Sequence, residues 1–191
     1  VMQMETAMLK YTMELLKKDY APQIALLGVQ IPEITSIPAV PFTQAKEMVA
    51  EKYNRRIRDP YDLEPEEEQL ISRLFAEEYG SDFVFVTHYP SKKRPFYAMD
   101  DPSDEKFTLS FDLLFKGLEV TTGGQRIHDY GMLIEKIYKR GMTEEGMEHY
   151  LMAFKHGMPP HGGLGIGLER LTMKLLGEDN VRETTLFPCG L

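Results

Sequence analysis

Three glycines alternate with apolar residues late in the chain, and a charged pair follows them. Gly163, Gly165 and Gly167 lie two positions apart, and Glu169 and Arg170 come shortly after. Because successive side chains of a strand point to opposite faces, this spacing predicts a strand with one bare face, followed by a helix. A bare face would let a flat ligand such as a purine approach the backbone, with Arg170 meeting charge or a ring at its edge.

Two carboxylates lie on the arms of a hairpin that is predicted to reverse at Gly117. Asp112 and Glu119 can approach each other across such paired strands. Close carboxylates repel unless a cation joins them, and Mg²⁺ with nucleotide phosphates suits these oxygen ligands. Thr122 could add a hydroxyl ligand. The alternative is a solvated face with two unrelated acids, and spacing alone favours that alternative.

Arg126 follows two glycines, seven residues after Glu119. A guanidinium can bind a carboxylate through two parallel hydrogen bonds, so Arg126 is a candidate for holding a small carboxylate-bearing molecule. An ordinary surface ion pair is the plainer alternative. His128 and Asp129 are predicted to be structural. The glycine spacing G-x-G-x-G does not match the dinucleotide fingerprint, and the P-loop pattern is absent.

Hydrophobic periodicity and end signals predict an α+β domain with a mostly antiparallel sheet. Helices are predicted at residues 3–18, from 43 to about 53, from the run 63–68 to about 79, at 129–140 and 143–156, and at about 168–176. Strands are predicted at residues 83–87, 96–99, 107–115 and 118–122 and in the glycine run. Residues 20–42 contain several prolines and are predicted to be irregular.

The bulk properties are those of one domain with a sizeable core. The net charge of −8 excludes a general nucleic-acid binder, so a nucleic-acid partner would need a local basic patch or another domain. The single cysteine, Cys189, excludes an internal disulfide and fits the reducing cytoplasm. No apolar run is long enough to span a bilayer, so no membrane partner is expected.

Three further features are given structural interpretations. The methionine-rich first helix is predicted to pack in a core or interface rather than to bind a soft metal. Glu66, Glu67 and Glu68 are interpreted as a solvated helix start. Cys189 has no evident partner histidine and is expected to be inert.

Several segments together resemble class II aminoacyl-tRNA synthetases. The stretch 163–170 resembles motif 3 of that class, in which the arginine contacts ATP, and 119–129 is similar to a segment of aspartyl-tRNA synthetases of the type shared by archaea and some bacteria. Shorter matches occur at residues 94–97, 110–112, 157–163 and 180–183. The resemblance covers essentially all of 1–188 and is shared in part by asparaginyl-tRNA synthetases.

The resemblance implies a class II-type antiparallel sheet flanked by helices, and a role for each candidate residue. Mg²⁺ on the ATP phosphates would be held by Asp112, Glu119 and Thr122. ATP would be bound by Glu119, Thr122, Gly165, Gly167 and Arg170, of which Glu119 and Arg170 would be catalytic. Aspartate would be bound through its side-chain carboxylate by Arg126, with Tyr97 and His161 nearby. The implied reaction forms aspartyl-adenylate and then transfers the aminoacyl group to tRNA.

The resemblance also implies parts that this sequence does not contain. The anticodon-binding barrel, motif 1, the amino-acid-binding loop and the motif 2 arginine are not found, and the chain begins at Val1. We therefore expect 1–191 to be the C-terminal portion of a catalytic domain, with a helical and irregular segment at about 20–80, or a truncated paralogue. Alone it is expected not to form aspartyl-adenylate. The whole enzyme is expected to be a cytoplasmic homodimer.

Three other functions stay open on the sequence. Asparagine could be the activated substrate, because Arg126 can serve either side chain and the discriminating loop is not in the sequence. A synthetase paralogue could instead make asparagine by amidating activated aspartate. A non-catalytic module that binds ATP and the amino acid is the third, although the intact set of acids and arginines argues against complete loss of activity.

Overall fold

A computed structural model describes residues 1–188, so Cys189 lies outside the described part of the chain. Its main sheet has five strands in the order β1-β2-β5-β6-β7, all antiparallel except the parallel β1–β2 pair. A separate two-stranded hairpin joins β3 to β4. The strands are β1 (Ala39–Pro41), β2 (Phe83–Thr87), β3 (Asp100–Asp101), β4 (Asp104–Thr108), β5 (Ser110–Phe115), β6 (Leu118–Arg126) and β7 (His161–Ile166). The predicted α+β class with an antiparallel-dominated sheet flanked by helices is confirmed.

Helices cover the sheet on both faces. They are α1 (Met2–Asp19), α2 (Ala21–Leu27), α3 (Phe42–Lys52), α4 (Pro65–Tyr79), α5 (Tyr130–Lys139), α6 (Glu148–Lys155) and α7 (Leu168–Leu176). One face of β2 and β5 packs against α3 and α4 through side chains such as Val84 and Leu114. The other face packs against α1 and α7 through side chains such as Phe85 and Leu113. We call these the α4 face and the α1 face of the sheet.

A third core lies at one end of the molecule and supports the chain around Tyr97. It contains Leu133 and Ile137 of α5 and Leu151 and Phe154 of α6, all buried. Asp129 caps α5, since its carboxylate accepts a hydrogen bond from the backbone of Met132 at 2.8 Å. The structural role predicted for Asp129 is therefore confirmed.

The β5–β6 hairpin reverses at Lys116 and Gly117, which both have positive φ angles, 46° and 84°. Two left-handed residues give a turn whose twist matches that of the paired strands, as the predicted reversal at Gly117 required. Between Leu113 and Leu114 the register then shifts by one residue of β6. Val120 is the extra residue.

This bulge decides which side chains of β6 share a face. Thr122 pairs with Asp112, and Glu119 pairs with Leu114, so Asp112, Glu119 and Thr122 all lie on the α4 face. Val120 and Thr121 both turn to the α1 face, where they are 2% and 1% exposed. Without the bulge, the strand period of two would place Glu119 on the face opposite to Thr122.

Local signals predicted several elements closely. The strand 83–87 is confirmed to the residue, and the helices predicted to open within 63–68 and at about 168 are confirmed as α4 and α7. Pro65 stands in the first turn of α4, and Gly80 ends that helix in a left-handed conformation. Gly177 does the same for α7.

Other predictions were wrong where local turns compete with strand or helix. The predicted strand 96–99 is reduced to a turn, in which Ala98 donates to the carbonyl of Pro95 at 3.0 Å, and a single antiparallel bridge between Ala98 and Arg126. The segment 20–42 is less irregular than predicted, because it contains α2 and β1. The predicted strand 107–115 is interrupted at Leu109, and the helix predicted from residue 143 begins only at Glu148, after the left-handed Gly146.

Candidate functional site

Strand register brings the sequence-predicted residues together on the α4 face of β5, β6 and β7. Asp112 pairs with Thr122, and Thr122 pairs with Gly165 on its other side. Farther along β6, Gly124 pairs with Gly163, and Arg126 pairs with His161. Paired residues of neighbouring strands lie on the same face, so acids stand at one end of this polar strip and Arg126 at the other.

A cavity of about 380 Å³ opens at the Arg126 end of the strip. We call it the Arg126 cavity. Its walls include Tyr97, Arg126, Gly163 and Gly165, and Arg94 stands at its boundary toward the acids. The Arg126 guanidinium lies 5.1 Å from the centroid of the Tyr97 ring, a cation–π contact that orients the cation.

Arg126 forms no ion pair with any acid in residues 1–188. The surface ion pair, the plainer alternative from the sequence, is therefore not what the described chain shows. Glycines beside Arg126 leave room for a ligand, and the terminal N–H groups of the guanidinium form no ion pair in the described chain. A carboxylate could therefore bind them through two parallel hydrogen bonds. An alanine Cβ at Gly163 would lie 3.4 Å from Arg126 Nη2, so glycine there leaves room for the side chain and its ligand.

His161 lies on the same strip but does not line the Arg126 cavity. Its Nδ1 lies 3.0 Å from the carbonyl oxygen of Pro159, and its ring centroid lies 6.2 Å from that of Phe154. Of the three residues predicted for amino-acid binding, the structure thus brings Arg126 and Tyr97 together at the cavity and leaves His161 beside it.

Arg94 lies where the sequence analysis assigned no role. Its Nη2 donates to Asp112 Oδ2 at 2.7 Å, and its Nη1 donates to Thr122 Oγ1 at 3.0 Å. The guanidinium carbon lies 3.9 Å from the Tyr89 ring centroid, so the arginine is clamped against an aromatic face. The available signal was Asp112 itself, because an acid within a run of strand residues needs a cationic or hydrogen-bonding partner when buried.

Three carboxylates occupy the opposite end of β6, and we call Glu68, Asp112 and Glu119 the acidic end. Glu68 extends from α4, and its Oε2 accepts a hydrogen bond from the backbone N–H of Glu119 at 3.2 Å. Burial, together with the charges of Glu119 and Asp112, raises the pKa of Glu68 to about 7. Burial and then the charge of Asp112 also raise the pKa of Glu119. Both shifts mean that negative charge is costly here.

The interpretation of Glu66, Glu67 and Glu68 as a solvated helix start was wrong for two of the three. Glu67 is 1% exposed and binds Lys46 Nζ at 2.6 Å, while it also completes a capping box with Glu64. Glu68 faces the acidic end. The sequence signal, an acidic first turn, is the same for all three, and only helix packing separates their roles.

Arg170 provides positive charge beside the acidic end from the first turn of α7. Its Nη1 donates to the carbonyl oxygen of Glu119 at 3.0 Å and lies 4.0 Å from Glu119 Oε1. The side chain is half exposed, so it can also face a ligand. A Cβ at Gly167 would meet the Arg170 side chain at 3.4 Å, whereas a Cβ at Gly165 would reach nothing within 4 Å. Gly165 thus borders open space, as predicted for a strand with a bare face.

The donors at the acidic end fit a hard divalent cation. Asp112 Oδ1 is buried and has no hydrogen-bond partner in the described part of the chain, and Glu119 is destabilised as an anion, so a cation would relieve both. Within residues 1–188, however, no group of three or more His, Cys, Asp or Glu side chains is arranged as a metal site. The predicted ligand set of Asp112, Glu119 and Thr122 has only two carboxylates and stays a prediction.

Comparisons with known proteins identify the family of this chain. The family described as tRNA synthetases class II (D, K and N) matches residues 1–190. The chain is 47% identical over 98% of its length to an aspartate–tRNA(Asp/Asn) ligase of Deinococcus radiodurans, covering 44% of that protein. It is 42% identical over 98% of its length to an aspartate–tRNA(Asp/Asn) ligase of Aeropyrum pernix, covering 43% of that protein. The chain thus spans less than half the length of these relatives.

Solved structures show the same relationship. An asparaginyl-tRNA synthetase of Pyrococcus horikoshii superposes with a TM-score of 0.86 at 26% identity, over 98% of this chain and 44% of that one. An aspartyl-tRNA synthetase of Entamoeba histolytica superposes with a TM-score of 0.76 at 35% identity, over 81% of this chain and 32% of that one. In residues 1–188, no helix is both long and apolar enough to cross a membrane.

Proposed function

Because this chain belongs to the family of class II tRNA synthetases (D, K and N), we propose that it supplies the aspartate pocket and part of the ATP site of an aspartate–tRNA ligase. The observation that carries the proposal is the Arg126 guanidinium, which has no acidic partner within residues 1–188 and lies in a glycine-bordered cavity next to a cluster of carboxylates. The chain would be part of the catalytic domain of the whole enzyme.

In this proposal aspartate enters the Arg126 cavity with its side-chain carboxylate toward Arg126. The two parallel hydrogen bonds of a guanidinium match a carboxylate, and the Tyr97 ring holds the guanidinium in place. Asparagine offers one oxygen acceptor instead of two and no charge, so it should bind less well at this end. The curated relatives named above are aspartate ligases, which supports the same choice.

ATP would lie across the strip between β7 and the acidic end. Gly165 borders open space where a flat adenine can approach the backbone, and Gly167 lets the Arg170 side chain lie close to β7. Arg170 would contact the γ-phosphate or the adenine end of ATP. Asp112, Glu119 and Thr122 would hold Mg²⁺ on the phosphates, and the metal would supply neutralisation of the phosphate charge.

These residues would contribute to catalysis by positioning the substrates and neutralising their charge. The α-carboxylate of aspartate attacks the α-phosphorus of ATP, a new phosphorus–oxygen bond forms, and pyrophosphate leaves. Arg126 would hold the side-chain carboxylate of aspartate, so that the α-carboxylate of aspartate points along β6 toward the phosphates. The aminoacyl group would then pass to the terminal ribose of tRNA. Catalysis in the cytoplasm by a homodimer stays a prediction.

Aspartate-dependent exchange of pyrophosphate into ATP tests the proposal in the full-length protein that carries this chain. We expect robust exchange with aspartate and, at equal concentration, much weaker exchange with asparagine. Ammonia-dependent formation of asparagine without tRNA would instead favour the paralogue. Binding of ATP and aspartate without exchange would favour a non-catalytic module, and preferred exchange with asparagine would overturn the choice of substrate.

A further inference from the structure

A second cleft lies away from the proposed synthetase site, between α3, α5 and the β3–β4 hairpin. Its volume is about 720 Å³, which is in the range of small-molecule sites. No residue is shared between its walls and those of the Arg126 cavity. The walls come from the start of α3, the segment 60–61, the turn 90–92, β4 and the end of α5. A ligand here would therefore be additional to aspartate and ATP.

Positive charge is concentrated in this cleft although the whole chain carries −8. Its two acids are Asp100 and Glu105. Its five cationic residues are Lys92, Lys106, Lys136, Lys139 and Arg140. An excess of cations in a concave surface of an acidic protein attracts anions to that place and to few others.

Part of this charge is fixed within the cleft wall, and part is free. Asp100 Oδ1 accepts hydrogen bonds from Lys136 Nζ and Ser91 Oγ, each at 2.6 Å, so its charge is already neutralised. Arg140 donates to the carbonyl oxygen of Ser91 and ties α5 to the same turn. These hydrogen bonds hold α5, β3 and the turn at Ser91 together, so this wall of the cleft is ordered.

The free charges are the exposed lysines at the rim. Lys106 has no ion-pair partner in residues 1–188. Among the described residues, Lys139 pairs only with Glu135, one turn earlier on α5, and both side chains of that pair are more than 60% exposed. An exposed pair of this kind contributes little, so Lys139 remains able to bind an anion.

An aromatic ring stands at the same rim. Tyr61 is 44% exposed, and Lys92 Nζ lies 5.0 Å from its ring centroid. Phe107 also lines the cleft. Aromatic side chains beside cations are the elements that recognise nucleotides, because bases stack on the rings while phosphates bind the cations.

We propose that this cleft binds a mononucleotide, with its phosphate at Lys106 and Lys139 and its base against Tyr61. The concave shape favours a ligand of this size over a duplex, which needs an extended basic surface. The proposal does not depend on the activity at Arg126.

Titration calorimetry with uridine 5′-monophosphate tests the proposal in the full-length protein. We expect saturable binding of one nucleotide at this cleft. Uridine and inorganic phosphate should each bind at least about tenfold more weakly, because each keeps only one of the two contacts. The double variant K106Q/K139Q should weaken nucleotide binding by about tenfold or more, and Y61A by a smaller factor.

The matched control is K10Q/K18Q, which removes two exposed lysines from α1 and should leave binding unchanged. All four lysines and Tyr61 are exposed, so the variants should fold, and melting temperatures check this. Four outcomes would overturn the proposal: undetectable binding, binding unaffected by K106Q/K139Q, inorganic phosphate binding as tightly as the nucleotide, or complete displacement of the nucleotide by the ATP concentration that saturates exchange.

Discussion

The two ends of β6 offer opposite electrostatic environments on one face of one sheet. At the Arg126 end, the Arg126 guanidinium faces a cavity bordered by glycines, and no acid in residues 1–188 pairs with it. At the acidic end, Glu68, Asp112 and Glu119 crowd together, and Arg94 and Arg170 offset only part of their charge. The first end is prepared for an anion, whereas the second is stabilised when a cation arrives. Charge that the fold leaves uncompensated thus indicates what each end should bind.

The largest expected effect is at the cationic end. In the full-length protein, Arg126→Gln should reduce aspartate-dependent ATP–pyrophosphate exchange on the order of 1,000-fold, because an amide cannot form two charge-assisted hydrogen bonds to a carboxylate. Exchange kinetics at varied aspartate measure the loss. Arg73→Gln removes the same charge from an exposed position of α4 and serves as the control. Equal losses in both variants would remove the special role of Arg126.

At the acidic end, the proposed ligand Glu119 is tested by its magnesium dependence. Glu119→Gln should lower exchange at fixed Mg²⁺ by about 100-fold, and excess Mg²⁺ should restore part of it, because one anionic ligand is lost. A Mg²⁺ titration of exchange measures this, with Glu51→Gln on the exposed face of α3 as control. An unchanged Mg²⁺ requirement would contradict the assignment of Glu119 as a ligand.

The repulsion among the carboxylates of the acidic end can be measured without any substrate, through the effect of Glu68 on the free energy of unfolding. The pKa of Glu68 is raised to about 7 in the folded protein, against 4.5 for a solvent-exposed carboxyl, so ionisation between these two pH values disfavours the folded state. The stability that the protonated carboxyl contributes is present below pH 4.5 and is lost as the pH rises to about 7.

We therefore expect Glu68→Gln to stabilise the protein on the order of 2 kcal/mol at pH 8, and to have no effect near pH 4. Urea unfolding with a chelator present gives both values, and Glu51→Gln again provides the control. A stability gain at pH 4 equal to that at pH 8 would show that charge is not the cause.

The smallest expected effects are on the KM values of the two substrates, with each end of β6 affecting a different substrate. Gly163→Ala places a Cβ 3.4 Å from Arg126 Nη2, whereas Gly165→Ala places one in open space on the ATP side. The first change should raise the KM for aspartate about tenfold, and the second the KM for ATP by a similar factor. Steady-state kinetics with each substrate varied measure both. Identical effects on both substrates would mean that the two glycines border one shared site.

Local chemistry explains why much of the fold was predictable from the sequence. Pro65 and Gly80 mark the ends of α4, and the β-branched and aromatic run 83–87 identifies β2 without reference to the rest of the chain. The turn at residues 96–99 was not predictable in this way, because a backbone hydrogen bond from Ala98 to Pro95 overrides the strand propensity of aromatic residues. Propensity gives way where the tertiary structure fixes the backbone.

The relative placement of two candidate residues was predictable from the sequence, but the electrostatics around them were not. Spacing placed Asp112 and Glu119 on the two arms of one hairpin, which the structure confirms, and β6 continues past the predicted hairpin to Arg126. Nothing in the sequence distinguished Glu68 from Glu67, because their roles follow from how α4 packs on the sheet. Asp112 signalled the need for a partner, but the sequence did not identify Arg94, because Asp112 and Thr122 lie 18 and 28 residues away from it along the chain.

The extra residue Val120 has a consequence for how this protein can change over generations. A deletion of Val120 would remove the bulge but leave Glu119 two positions from Thr122, so regular alternation along the strand would keep both side chains on the proposed ATP side. The loss would fall on the other face, where one apolar side chain packed by α1 would disappear. Lineages should therefore be able to differ here by a one-residue deletion as well as by substitution, with the acidic end preserved in both cases.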